Sequence, residues 1–234
     1  MKFVVTGVTA VLGSMLALTP AFAQLRGHGG PVRALAISAD AATALSGSFD
    51  SSAIRWSLRR NAAEQVLRFH DGAVNAVAIL QDGRFATAGE DGRIALWRAG
   101  EQKPEIVLEG HKGPVVALAV SPDGATLASA SWDHTVRLWP LAGGSPRVLE
   151  GHQQNVNGVA FTPDGAALVS VGYDATMRIW PLQDSSAAPR IVTLAAPLNA
   201  VVAAADGEIV VAGADGALSF LSPAGELRGK VDVS

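Results

Sequence analysis

Cysteine is missing from the chain. That excludes disulfide staples, thiolate metal sites, a lipid-bearing N-terminal cysteine and covalent attachment of a c-type haem. Charge is sparse: Asp, Glu, Lys and Arg make up 17% of the 234 residues, and the formal net charge is −3. No Lys/Arg cluster exceeds the Arg59-Arg60 pair, so phosphate neutralisation gives no basis for nucleic-acid binding. A membrane-spanning run is also wanting. The apolar stretch Val4 to Leu18 is 15 residues long, contains Gly7 and Gly13 and is followed by Pro20, whereas a bilayer crossing takes about 20. With Lys2 ahead of it and Ala21-Phe22-Ala23 behind, the stretch has the form of an export signal cleaved after Ala23, before Gln24. A membrane anchor is the alternative for the same residues. For an exported protein the expected address is the bacterial periplasm or the outside.

What the chain has instead is a unit of about 41 residues that recurs. Trp56, Trp97, Trp139 and Trp180 stand 41, 42 and 41 positions apart, each preceded at matching distance by His28, His70, His111 or His152. Self-similarity at this period marks a solenoid or a propeller. The third copy, Glu109 to Trp139, shows the unit most clearly. Val115, Leu118 and Val120 mark a short buried strand, and Ser121-Pro122-Asp123-Gly124 a tight turn in which Pro sets one corner and Gly accepts positive φ. A second strand runs through Leu127 to Ala130, a turn follows at Asp133-His134, and a third strand holds Val136, Leu138 and Trp139. A fourth runs through Arg147 to Leu149. Four short antiparallel strands per unit make one propeller blade. The expected fold is all-β, a propeller with repeats at about 27–68, 69–109, 110–150, 151–193 and 194–234.

The Gly-His start, the Ser-Pro-Asp-Gly turn and the closing Trp resemble the WD-repeat β-propeller family, over Gly27 to about Leu221. One departure is visible. The Asp that follows the Trp in the family is replaced by Ser57, Arg98, Pro140 and Pro181, and Pro is tolerable where a ladder finishes. Six residues before each Trp stand Asp50, Asp91, Asp133 and Asp174, and four residues before those Ser46, Thr87, Ser129 and Ser170. The resemblance implies that His, Ser/Thr, Asp and Trp form a hydrogen-bonded chain within each blade. The residue types suit it: indole N–H donates, hydroxyl relays, imidazole does both and carboxylate accepts. His, Ser and Asp together also evoke a hydrolase triad. The same set occurs four times at one spacing, however, with no nucleophile elbow around any serine, so an architectural role is expected. The four His fall in different blades and are not expected to converge on a metal. No catalytic, metal or cofactor site is expected in this chain.

The fifth repeat is degenerate. Leu194 stands in the His position, Val211 replaces the hydroxyl and Leu221 the Trp, while Asp215 is kept. Apolar packing is expected to hold this blade, with Leu218 and Phe220 at inward positions. The first repeat has Arg55 where others have Leu96, Leu138 or Ile179. Gln24-Leu25-Arg26 echoes Val148-Leu149-Glu150, which predicts a surplus fourth strand from a blade not otherwise present, while Gly225 to Val231 supplies the fourth strand of blade five. The resemblance implies seven blades, which at this period need about 290 residues. The expectation is therefore an incomplete seven-bladed ring, the N-terminal portion of a longer protein. Closure by self-association through open blade edges and a tight five-bladed ring with a spare arm are the alternatives.

Propellers bind on one loop face around a channel. The resemblance places there the residue before each turn Asp, namely Phe49, Glu90, Trp132, Tyr173 and Ala214, of which three are aromatic in a chain with 6% aromatics. Just inside each first strand stand Arg33, Asn75, Val116, Asn157 and Asn199. Arg33, Phe49, Asn75, Trp132, Asn157, Tyr173 and Asn199 are the candidate partner-binding residues, because exposed aromatics and Arg dominate interface energetics. The competing possibility is that the aromatics fill gaps between blades. The expected function is an exported, non-enzymatic scaffold for protein partners. A second possibility is the propeller portion of a periplasmic c-type cytochrome whose haem domain lies outside this chain. A third, a hydrolase or sugar-binding propeller, would need a convergent carboxylate cluster that is not evident.

Overall fold

The structure, a computed structural model, describes residues 25–184 and 186–233; the expected export signal and its expected cleavage site lie outside the described residues. The chain forms five four-stranded antiparallel sheets, each in simple sequential order. Blade one is β1 (Val32–Ile37), β2 (Thr43–Ser48), β3 (Ser52–Ser57) and β4 (Ala62–Arg68). Blade two is β5 (Val74–Ile79), β6 (Phe85–Gly89), β7 (Ile94–Trp97) and β8 (Ile106–Leu108). Blade three comprises β9 (Val115–Val120), β10 (Thr126–Ser131), β11 (Val136–Pro140) and β12 (Arg147–Leu149). Blade four has β13 (Val156–Phe161), β14 (Ala167–Gly172), β15 (Thr176–Pro181) and β16 (Arg190–Thr193). Blade five has β17 (Leu198–Ala203), β18 (Ile209–Gly213), β19 (Ala217–Leu221) and β20 (Leu227–Asp232). Pro140 and Pro181 end their strands, where a missing N–H costs no ladder bond.

Turn chemistry sets the hairpins. At the first turn of blade three, Gly124 has φ +70° and its N–H donates to Ser121 C=O, while Asp123 accepts from the N–H of Ala125. The same carboxylate brace recurs at Asp40, Asp82, Asp164 and Asp206. Alternation along each strand then sends side chains to both neighbouring blades. The core is accordingly a series of layers between blades, not a single centre. Leu45 and Ala53 of blade one meet Val74, Phe85 and Trp97 of blade two. Ile94 and Leu96 meet Val115, Leu127 and Trp139. Val136 and Leu138 meet Val156, Leu168 and Trp180. Val169, Met177 and Ile179 meet Leu198, Ile209 and Leu221. Trp97, Trp139 and Trp180 thus face back onto the preceding blade, and Leu221 does the same work in blade five.

The first strands run side by side in the order β1, β5, β9, β13, β17 and line the inner edge of the arc. The two outermost blades keep open faces. On blade one, Leu35 and Ile37 are 63% and 57% exposed. On blade five, Val202 is exposed, and the paired Val210 and Phe220 are half-buried beside it. The array is an incomplete ring.

Two expectations are corrected. Leu25 and Arg26 form no strand; Leu25 instead packs on Ile54 and Trp56, on the outward face of blade one. The fourth position of blade five is already taken by β20, which pairs with β19, so the segment has no sheet edge to join there. Leu218 and Phe220 do not point inward. Ala217, Ser219 and Leu221 are the buried residues of β19, because Leu221 sits in the Trp register and strand alternation turns Leu218 and Phe220 to the open side. Arg55 is accommodated by an ion pair with Glu64 of β4.

Candidate functional site

The polar residues at one end of blades one to four form a fixed chain. In blade three the indole N–H of Trp139 donates to Ser129 Oγ at 2.8 Å, Ser129 Oγ lies 2.7 Å from His111 Nε2, and His111 Nδ1 lies 2.8 Å from Asp133. Because indole can only donate, the Ser oxygen accepts there, with Nε2 of the imidazole as its second partner and Nδ1 facing the carboxylate. The same path runs Trp56–Ser46–His28–Asp50, Trp97–Thr87–His70–Asp91 and Trp180–Ser170–His152–Asp174. Ser129, Ser170 and Thr87 are fully buried and Ser46 nearly so. Each hydroxyl is engaged by the Trp and His of its own blade, which fits an architectural role, although Ser46 and His28 of blade one also line a cleft of about 450 Å³ on its free face. Each His is bound within its own blade, and no group of three or more metal-ligating side chains occurs among the described residues.

Each network Asp does more than close the chain. Asp133 accepts from the N–H of Lys112, just after the His, and from both the N–H and the hydroxyl of Thr135. Asp174 binds Gln153 and Thr176 in the same way, and Asp50 binds Gly29 and Ser52. In blade two Arg93 takes that place, bonding Asp91 and Asp71 and stacking over Phe69. The hydroxyl two residues beyond Asp escaped the sequence reading, although Ser52, Thr135 and Thr176 recur at one offset. Burial pushes the Asp133 and Asp91 carboxyls up, but the hydrogen bonds from His111 or His70 and from backbone N–H outweigh it and hold both well below the usual carboxylate range. Asp50 and Asp174 are depressed by the same competition. Burial, only partly offset by Asp174, lowers the His152 pKa. Blade five lacks the chain, and its Asp215 pairs with Lys230 at the surface.

This clamp positions the loop face. The residue before each clamped Asp donates its N–H to a carbonyl at the foot of the first strand: Phe49 to Pro31, Glu90 to Ala73, Trp132 to Pro114, Tyr173 to Asn155 and Ala214 to Pro197, at 2.7–3.1 Å. Their backbones are therefore fixed while Phe49, Trp132 and Tyr173 remain 51%, 41% and 49% exposed. These aromatics do not fill gaps between blades. Phe49 lies under the Arg33 guanidinium, 4.9 Å from its ring centre.

The first strands carry a second repeated device. Each has a β-bulge, and the residue left out of register is Arg33 in β1, Asn75 in β5, Val116 in β9, Asn157 in β13 and Asn199 in β17. Bulges bend a strand and re-aim a side chain. Here they deliver all five residues, one from each blade, to a single basin of about 430 Å³ that Trp132, Tyr173 and Asn155 also line. Six of the seven candidate partner-binding residues meet there; Phe49 stands beside it through Arg33. Asn157 donates to Leu198 C=O across the blade boundary. The bulge was invisible in the sequence, since nothing in Arg, Asn or Val at that offset announces an unpaired strand position. A larger cleft of about 630 Å³ lies at the opposite end, between the first turns of blades three and four. Its Asp123 and Asp164 already bind neighbouring hydroxyls and backbone N–H groups, so it offers fewer free polar groups than the basin.

Comparison with known proteins agrees with this architecture. The family described as "WD domain, G-beta repeat" matches residues 21–57, 62–98, 102–140 and 143–181, together well over half of the chain. The matched segments end at or just beyond the network Trp of blades one to four. Methylosome protein WDR77 of Xenopus laevis is 37% identical over 79 residues, which are 33% of this chain and 24% of that protein. The crystal structure of the WD40 beta propeller domain of Doa1 superposes with a TM-score of 0.75 at 28% identity, over 85% of this chain and 66% of that one. This chain thus spans about a quarter of the curated relative and about two thirds of the solved one. On the four matched repeats and the five-bladed architecture, the chain belongs to the WD-repeat family of β-propellers.

Proposed function

We propose that this protein is a non-enzymatic interaction scaffold, exported through the segment that ends at Ala23, and that it captures a protein partner on the loop face around the channel mouth. One observation carries the reading. Five bulged first strands converge on one basin whose aromatic rim is held by backbone hydrogen bonds rather than by burial. Side chains presented on a fixed backbone lose less freedom on binding, which raises affinity for a given contact area. Catalysis has little to work with in the basin. The Asp carboxylates nearest it are committed within their own blades, and the network hydroxyls do not line it. No cofactor is required for such a role.

Affinity capture with the whole chain, quantified beside a Trp132→Ala variant, tests the proposal. Trp132 is 41% exposed, so the variant should keep its melting temperature and lose the proteins captured by the parent. Capture that is indifferent to Trp132→Ala would sink the loop-face reading, and a large drop in melting temperature would place Trp132 in the core. Export is checked separately: the N-terminus of the protein recovered from the periplasm should begin at Gln24.

A further inference from the structure

Among the residues lining the basin, Arg33 alone is charged. Its guanidinium has no carboxylate partner among the described residues; its one contact of note is the Phe49 ring, which leaves its N–H donors turned outward in the plane. The side-chain amides of Asn75, Asn155 and Asn199 likewise make no hydrogen bond among the described residues, whereas Asn157 is spent on Leu198. Two of these three amides and the guanidinium sit on bulged positions, freed from both sheet faces. Arg33 is therefore held on an aromatic surface, in the open, without an anion.

We infer that the basin recognises an extended acidic peptide, with Arg33 receiving a carboxylate and the unpaired Asn amides bonding the adjoining main chain. The inference rests on the loop-face reading above and adds the chemistry of the partner. Each step follows from group types. A fork of N–H donors matches a carboxylate in two parallel bonds. A carboxamide offers one acceptor and one NH₂ donor, which is the complement of a peptide unit. Trp132 and Tyr173 give large amphipathic surfaces at low entropy cost, against which an apolar peptide side chain can lie. An anionic side chain in the basin would oppose this, and none lines it; Glu90 lies at the neighbouring turn, its carboxylate directed at the Ala73 N–H.

Random dodecapeptides displayed on phage and selected on the whole folded chain provide the probe. Selected sequences should be enriched in Asp and Glu. The strongest of them, synthesised with blocked ends, should weaken by at least about tenfold when its acid is changed to the amide and by a similar factor against Arg33→Met, since a charged hydrogen-bonded pair is being lost. Its affinity should fall with added salt. Arg33→Glu should shift the preference to a Lys-bearing version of the same peptide. Arg33 is exposed, so the variants should melt with the parent, and the affinities can then be compared directly. Peptides that depend on Trp132 but ignore Arg33→Met and acid removal would overturn this inference and leave the loop-face reading intact. Peptides that ignore Trp132→Ala and Tyr173→Ala as well would overturn both. Recovery of no binding peptide, or binding of oligogalacturonate through Arg33 in place of any acidic peptide, would overturn the acidic-peptide assignment.

Discussion

At the scale of single residues, the blade depends on atoms that have only one acceptable partner. Trp139 Nε1 is buried and can donate only to Ser129 Oγ, which has no solvent to fall back on. Trp139→Phe keeps most of the packing against Leu127 and Val115 but leaves Ser129 and His111 with an incomplete chain. A loss of about 1–3 kcal/mol is expected, the cost of an orphaned buried polar group, read from urea denaturation; an unchanged midpoint would show that the indole N–H is dispensable. A second residue-scale effect lies one position beyond the Asp of the second turn in every blade. Ser51, Gly92, His134, Ala175 and Gly216 all have positive φ, between 59° and 77°. The turn demands this conformation, and three blades meet the demand with an L side chain. Left-handed φ costs such a residue about 1–2 kcal/mol, while glycine gives some of that back through its freer unfolded chain. Ala175→Gly should therefore stabilise the protein by up to about 1 kcal/mol. Gly92→Ala should do the reverse, since its Cβ would also lie 3.1 Å from the His111 carbonyl. Thermal melts of the two variants moving the same way would refute the turn argument.

At the scale of elements, each network carboxylate staples three pieces of chain: the loop after the His, the turn it sits in and the start of the third strand. The stapling is pH-dependent. Asp50, Asp91, Asp133 and Asp174 titrate below their ordinary value of 3.8 in the folded protein. A depressed folded pKa contributes stability above the unfolded pKa and loses it as pH falls through the folded one. Asp133→Asn should accordingly destabilise the protein at neutral pH, and its deficit against the parent should shrink as pH drops below about 4. A deficit that stays constant into acid would mean that the charge of Asp133 is irrelevant. These elements were largely legible in advance. Asp, Gly and Pro at fixed offsets force particular turns, and a 41-residue period leaves little freedom in how the strands pair. The loop face was legible in part: equivalence across repeats gathered Arg33, Asn75, Asn157 and Asn199 into one register. The bulges that lift them out of the ladder were not, because a bulge is a property of two strands and either strand alone looks regular. Leu218 and Phe220 were misplaced for a related reason. In blades one to four the Trp marks which face of the third strand looks backward; with Leu221 in its place, large apolar residues stand on both faces of the strand, at Leu218, Phe220 and Leu221, and the marker is gone.

For the whole molecule, repeat register turns the two ends of the arc into a controlled comparison. Val210, Ala212, Leu218 and Phe220 of blade five stand 41 residues after Val169, Val171, Met177 and Ile179 of blade four. The earlier set is buried by the next blade, and the later set has no blade against it among the described residues. Blade one presents the matching half at the other end: Leu35 is open, while Trp56, with no blade before it, is buried under Leu25 and Leu58. Apolar side chains at identical register thus meet water in one place and protein in the other. Ile179→Lys would bury an ammonium with no partner and should cost more than about 3 kcal/mol. Phe220→Lys places the same group where its head reaches solvent and its stem still covers Val210, so the loss should stay under about 1 kcal/mol. Exposed apolar faces of this kind also promote association, and Phe220→Lys should lower any concentration-dependent rise in sedimentation coefficient, as should Leu35→Lys at the opposite end. Urea denaturation and sedimentation velocity on the same samples separate the two effects. If Phe220→Lys proved as damaging as Ile179→Lys at every concentration, the last blade would have to be covered in solution by something that packs on it as blade five packs on blade four.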